Sequence, residues 1–505
     1  MVIIVYEASI PRVDKPLEIL RPFGNVRRQM AVGVVANIVS MTGAIALISS
    51  SMILPQLQGE SRDSINELTL TMEEGSWFAS LFSIGFIFGS IVGGFQSDYF
   101  GRKLSMMIDC AVMSTGFFCM AFSTSFPMLL FGRFIGGHAT SSSLASLPIY
   151  IGEISHPHMR GTIAGMFGLL YYFGTLVVSI SSGLLSWRIT MGIMGCVPII
   201  NFFGFIFCPE SPTWLIRRNK TAEAFKSLMF LRGERAQVLD AIKKIENNLN
   251  TEIEAHEFEC KKTLLVKLRQ YWNDLIHPTF VKPFVILLFF IAFVQVWTGT
   301  TFINFYMITF FQNMDLPIDP YLISAFLSLF RMILGIFGVS IIGSVKRRTV
   351  YITLSAFIFV ANSSLALHQF LMHNGYFQAW GIHEYQVICL FPLFSVALLF
   401  GSYAIGFGTI SRTLQGELLP ADKRSFGVGI IGFVEGISIF VIAKISPFML
   451  QNFKMYGCFG IFACVSVSAV LIAYFFLPET KDQSLEDIEN HYQNISGIKN
   501  KENNI

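Results

Sequence analysis

The sequence predicts an all-α membrane protein of twelve transmembrane helices arranged as two six-helix bundles. Three observations predict it. Hydrophobic residues make up 53% of the 505, mean hydropathy is +0.58 and only 14% of residues are charged, against about 25% in ordinary soluble chains. Apolar runs of about 20 residues, the length that crosses a bilayer as a helix, recur along the chain. Three polar segments of the first half return, in the same order, in the second.

Residues 1–30 carry no apolar core beyond MVIIV, so no cleavable signal is expected and the segment reads as a cytosolic N-terminal stretch. The first six spans are expected at 31–53, 75–97, 104–124, 128–151, 162–185 and 190–208. The second six are expected at 284–310, 322–344, 349–369, 385–414, 427–449 and 457–477. Backbone groups in lipid have no water to bond, which makes helices the sensible form. The bundles therefore occupy 31–215 and 284–477, with a cytosolic helical linker at 216–283 and a cytosolic tail at 478–505. Within the linker, TAEAFKSLMFLR and the span from Arg235 to Glu259 read as amphipathic helices that latch across both bundles.

Basic residues fix the expected orientation. Arg27, Arg28, Arg102, Lys103, Arg160, Lys346, Arg347, Arg348, Lys423 and Arg424 share one side, whereas the other has mainly Arg62, Arg188 and Lys454. The positive-inside rule then places both termini in the cytosol of an integral multi-pass protein, with the cell membrane as its expected address. Seven of the eight cysteines fall in expected spans, so no disulfide is expected.

The repeats give the chain its internal symmetry. DYFGRK (98–103) pairs with GSVKRR (343–348), GEISHPHMRG (152–161) with GELLPADKRS (416–425), and PESPTWL (209–215) with PETKDQS (478–484). Two similar bundles around a shared path suit an alternating-access device. Asp98, Arg102, Glu153, Arg160 and Glu210 gather at the cytosolic ends of one bundle, and Glu417, Arg424 and Glu479 at those of the other. They are expected to act as a gate, each exposed pair contributing about 1 kcal/mol. GSVKRR lacks an acid at the place of Asp98, and Lys346 stands where the first half has Gly101. That end of the network is expected to be weaker. Gly85, Gly89 and Gly93, four residues apart, are expected to let helix backbones approach closely.

Taken together, these motifs, with Gly132-Arg133, Gly136-Gly137 and PETKDQSLEDI (478–488), resemble the sugar porter family of the major facilitator superfamily, in the style of insect facilitated trehalose and hexose transporters. The resemblance covers about 27–490 and implies the major facilitator fold and facilitated sugar transport. It also implies a set of cavity positions. In FVQVWTGTTFINFYMITF, Gln295 matches a family glutamine, Thr298 stands for a serine, Thr301 for an asparagine, and Tyr306 matches a tyrosine. Tyr172 occupies the place of a central glutamine, Arg331 that of a cavity asparagine, Arg412 that of a tryptophan platform and Glu435 that of another asparagine. Thr409 and Ser411 replace two prolines.

Charged groups facing lipid would cost roughly 3 kcal/mol each on the milder scales, so Arg331, Arg412 and Glu435 are expected to face the path or one another. One acid for two arginines leaves one cation over. Arg133 is expected to be structural. The first span, 31–53, has no acid or histidine, which favours facilitated diffusion without proton coupling.

Three functions stay open on these residues. One is a facilitative carrier of a hexose or trehalose. The second is the same scaffold carrying an organic anion or sugar acid on Arg331 and Arg412. The third is a membrane sensor that has lost transport. No nucleophile–base pair, metal set or phosphate loop points to an enzyme, no cofactor is expected, and the basic residues sit at membrane edges rather than in a nucleic-acid-binding patch. A small-molecule substrate and membrane lipids are the expected partners, and the oligomeric state is left open.

Overall fold

The computed structural model describes residues 25–59, 68–233, 235, 238–245, 278–314, 318–376, 385–419 and 424–479. The first half is α1 (Val26–Leu57), α2 (Met72–Phe100), α3 (Arg102–Ala121), α4 (Phe126–Ile154), α5 (Pro157–Leu184) and α6 (Trp187–Ile206). Two short helices follow, α7 (Pro212–Arg217) and α8 (Thr221–Arg232). The second half begins with α9 (Pro278–Leu288), a π-helical segment (Phe289–Val294), α10 (Gln295–Trp297) and α11 (Thr300–Gln312). It continues with α12 (Pro320–Ser344), α13 (Arg347–His373), α14 (Tyr385–Ser402), a second π segment (Tyr403–Phe407), α15 (Gly408–Leu418) and α16 (Arg424–Phe476).

Among the described residues, ten helical stretches are long and apolar enough to cross a membrane. The protein is an all-α, integral multi-pass membrane protein. The expected separation of 427–449 from 457–477 takes an unexpected form: α16 runs across both, broken at Lys454, whose φ of +55° and ψ of 178° are non-helical. A single residue makes the turn where a short loop was expected.

Local chemistry explains several boundaries. The α2 start is a capping box: Thr71 Oγ1 accepts from Glu74 N at 3.3 Å, and Thr71 N donates to Glu74 Oε2 at 2.9 Å. Glycines then set the α2–α4 spacing. A Cβ on Gly85 would lie 2.0 Å from Phe134 O, and one on Gly89 would lie 2.2 Å from His138 O. Only hydrogen fits there, which is how membrane helices pack where no hydrophobic driving force pulls them together.

The halves meet through α2 with α16, α5 with α12, and α1 with α11. Ser51 Oγ accepts from the Met307 and Ile308 N–H groups, Tyr321 OH donates to Met52 O at 3.2 Å, and Ser179 and Ser324 hydroxyls are 2.9 Å apart. Lys444 Nζ donates to Ser76 Oγ at 2.7 Å and lies 4.0 Å over the Trp77 ring. All of these lie toward one end of the bundle, the end where α2 and α12 begin.

The described part of the linker docks on the first half. Leu215, Ile216, Ala224 and Leu228 are buried with Val238, Ala241 and Ile242 in their own cluster. Asn25 N donates to Leu231 O at 3.2 Å, and Trp214 Nε1 to Asp98 O at 2.8 Å. Residues 246–277, where contact with the second half was expected, lie outside the described residues.

Candidate functional site

The seventh expected span is broken in its middle, and the break builds the site. After the π segment comes one short turn, Gln295–Trp297, and then Gly299 in the left-handed region at φ +89°. A Cβ there would also come 3.0 Å from the Phe462 ring. Broken backbone at membrane depth is tolerated where protein re-satisfies it or a polar cavity adjoins it. Here Asn362 Nδ2 donates to Thr298 O at 3.1 Å. Tyr403, in the second π segment, donates its hydroxyl proton to Gln295 O. Its oxygen therefore accepts from Thr298 Oγ1, 2.6 Å away. Such π bulges inside helices recur at functional sites.

Gln295 keeps its side chain uncommitted. Its Oε1 is buried with no hydrogen-bond partner among the described residues. Its Nε2 lies 3.4 Å from where a Cβ on Gly408 would sit, so that glycine leaves room for the amide. A buried acceptor left unpaired costs about 1–3 kcal/mol, which a hydroxyl donor from a bound molecule would recover.

Arg331 is 3% exposed and sits between two rings, 4.8 Å from the Tyr172 centroid and 4.4 Å from that of Phe400. Tyr172 belongs to α5 and Arg331 to α12, so this contact joins the halves. Desolvated cation–π contacts reach about 2 kcal/mol each, enough to offset much of the burial of the charge. They do not satisfy its in-plane donors. Nη1 reaches Asn304 Oδ1 at a long 3.4 Å, and Nε is buried without a partner among the described residues.

The expected arginine–glutamate pair forms, and the structure decides which arginine takes part. Arg412 Nη2 donates to Glu435 Oε1; the side chains are 47% and 7% exposed. Gln295 and Thr298 thus meet at Tyr403, Arg331 packs on Tyr172 and Phe400, and Arg412 pairs with Glu435. Thr301 is half-buried on α11. Tyr306 is buried, and its hydroxyl donates to Ala443 O at 2.9 Å.

At the basic-loop end, Arg102 bonds Asp98 Oδ1 at 2.9 Å and lies 3.3 Å from Glu153 Oε2. Glu210 Oε1 accepts from the N–H groups of Arg102 and Lys103, both at 3.0 Å. Glu479 does the same for Arg347 N at 2.9 Å and Arg348 N at 3.3 Å. Each carboxylate sits on a helix N-terminus, where the aligned peptide dipoles favour negative charge. The motif repeats seen in the sequence are therefore repeats of one contact. The two differ at the preceding residue: Gly101 has φ +98° and Lys346 an ordinary −59°. Arg160 Nη2 donates to Gly152 O at 2.9 Å and is exposed. The side chains of Glu417 and Arg424 lie outside the described residues.

Sequence reading passed over Asn304, Tyr403 and Phe400, because family spacing pointed to Thr301 and an aromatic in an apolar run carries no polar signal. It also passed over Lys444, a charge inside an expected span, and Asp109. The latter is 1% exposed and accepts from Gln96 Nε2 at 2.9 Å and Ser143 Oγ at 3.2 Å. Arg133, expected to be structural, is held by Phe78 O, Ala46 O and Ser49 Oγ.

The family profile described as Sugar (and other) transporter matches residues 35–492. The human solute carrier family 2, facilitated glucose transporter member 6, is 26% identical over 467 residues, covering 89% of this chain and 88% of its own. The facilitated trehalose transporter Tret1 of Apis mellifera ligustica is 25% identical, with 90% of this chain and 86% of its own covered. Among solved structures, the inward-open xylose transporter XylE of E. coli superposes with a TM-score of 0.70 at 18% identity, over 92% of this chain and 99% of that one.

Proposed function

Because the chain belongs to the Sugar (and other) transporter family, we propose that it is a facilitative carrier that moves a hexose or trehalose across the cell membrane by alternating access, without proton coupling. Relatives named as facilitated glucose and trehalose transporters support the substrate class. The observation that carries the reading is Gln295: a buried, unpaired carbonyl at a broken helix. A sugar must exchange many water contacts for protein ones, and an acceptor already stripped of water makes that exchange favourable.

In this reading Gln295, Thr298, Thr301 and Tyr172 line the sugar path with Arg331, Arg412 and Glu435, while the Tyr306 hydroxyl holds the bundle together. The twelve-span architecture follows by adding α4 to the ten apolar stretches and dividing α16 at Lys454. The bundles are then 31–215 and 284–477, with 1–30, 216–283 and 478–505 on the cytosolic side. Contacts between the halves gather at the end away from the basic loops, and the Arg102 ion pairs lie within one half. Both support an inward-facing state. Asp98, Arg102, Glu153, Arg160, Glu210, Glu417, Arg424 and Glu479 act at the inner gate, bonding across the halves when the protein turns outward. Each partly wet pair contributes about 1 kcal/mol or less, and several together bias a two-state equilibrium.

Uptake into proteoliposomes tests this. Saturable glucose or trehalose flux that equilibrates across the membrane and ignores an imposed pH gradient is expected. Accumulation driven by that gradient would overturn the uncoupled mechanism, and absence of sugar flux in correctly folded protein would overturn the carrier.

A further inference from the structure

We propose that Arg331 gives the site a preference for a polyhydroxy carboxylate, a sugar acid of hexuronate type, over the neutral sugar of equal size. The proposal rests on the transport reading and shifts its preferred substrate from a neutral sugar to an acidic one of equal size.

Three arginines are buried among the described residues, and their surroundings differ. Arg102 faces the carboxylates of Asp98 and Glu153. Arg133 has three oxygen acceptors from two helices, the arrangement of an internal strut. Arg331 has no carboxylate partner among the described residues; its hydrogen-bonding contacts are neutral, the Asn304 amide oxygen at 3.4 Å and the Tyr172 hydroxyl. The charge of Arg412 is taken by Glu435, so the grouping keeps one net positive charge, and it is on Arg331.

The geometry says how that charge is offered. Ring faces of Tyr172 and Phe400 lie near the guanidinium carbon, whereas its hydrogen-bond donors all point along the guanidinium plane. The Nε N–H, one of these donors, is buried without an acceptor. A carboxylate fits a guanidinium edge with two parallel bonds; a sugar hydroxyl matches neither the charge nor the fork. Gln295 Oε1 supplies the complementary need, a hydroxyl proton. One ligand that answers both carries a carboxylate at one end and hydroxyls along its length.

The test uses the full-length chain in proteoliposomes and in detergent, with D-glucuronate and D-glucose as probes. Glucuronate is expected to enter saturably, faster with the vesicle interior positive, and to raise the melting temperature more than glucose does. R331Q is expected to lower glucuronate uptake relative to glucose uptake by about tenfold or more, as loss of a charge-assisted hydrogen bond does, with R331K between the two. If glucose enters while glucuronate neither enters nor stabilises the protein, the proposal is overturned and the carrier stands. If neither enters but glucuronate stabilises the wild type and not R331Q, the carrier reading fails and the anion site stands. Equal loss of both fluxes in a folded R331Q also overturns the proposal. Should R331Q not fold, the wild-type comparison and R331K decide it.

Discussion

The guanidinium of Arg331 lies 4.8 Å from the ring centroid of Tyr172, so a cation of the second half is seated on an aromatic of the first. Arg331 is 3% exposed, so it gives up its water to make this contact, and the Tyr172 ring face is part of what it receives in return.

Tyr172→Ala is expected to remove about 2 kcal/mol of contact between the halves. The melting temperature of the purified protein should fall, while Tyr172→Phe, which keeps the ring face, should leave it near the wild-type value. Equal falls in both variants would assign the contact to the hydroxyl instead.

Gly89→Ala brings a methyl within 2.2 Å of His138 O, a backbone atom that cannot rotate away. Helices α2 and α4 must separate, at about 1–3 kcal/mol. Gly94→Ala, on the same helix with nothing within 4 Å of its would-be Cβ, should be neutral. Thermal unfolding of the two variants side by side checks the pair.

Glu210→Gln and Glu479→Gln should destabilise alike, because each carboxylate holds two N–H groups at a helix start. About 1 kcal/mol is expected from each through loss of the charge–dipole interaction. Asp98→Asn should cost less, since that side chain is 73% exposed to solvent screening. A large effect at Asp98 with none at Glu479 would contradict the repeated-contact account.

Lys444→Met removes a hydrogen bond to Ser76 and a cation from the Trp77 ring, both between the halves. The population should move away from the state described, opening the end where Ser179 meets Ser324. A cysteine placed by Ser324→Cys is expected to react faster with a membrane-impermeant thiol reagent in the Lys444→Met background. An unchanged rate would remove Lys444 from the gate.

Much of the architecture was legible because bilayer physics writes it into composition. Apolar runs gave the helices. Even so, the break at Lys454 was not readable, since a positive φ at a lysine has no sequence signature. Nor did the local sequence mark the left-handed backbone of Gly299 or the two π segments, which depend on packing that involves Phe462 and Tyr403.

What the sequence determined by itself is the set of parts: helical spans, a duplicated order of motifs, and charges that lipid would not tolerate unpaired. Hydrophobic length and charge placement act locally along the chain, so they survive without coordinates. The tertiary structure decided the partners. It gave Glu435 to Arg412 and two aromatic faces to Arg331, and it left Gln295 with an unanswered acceptor. Those outcomes depend on which faces of distant helices come within a few ångströms of one another, and spacing along a chain does not encode that.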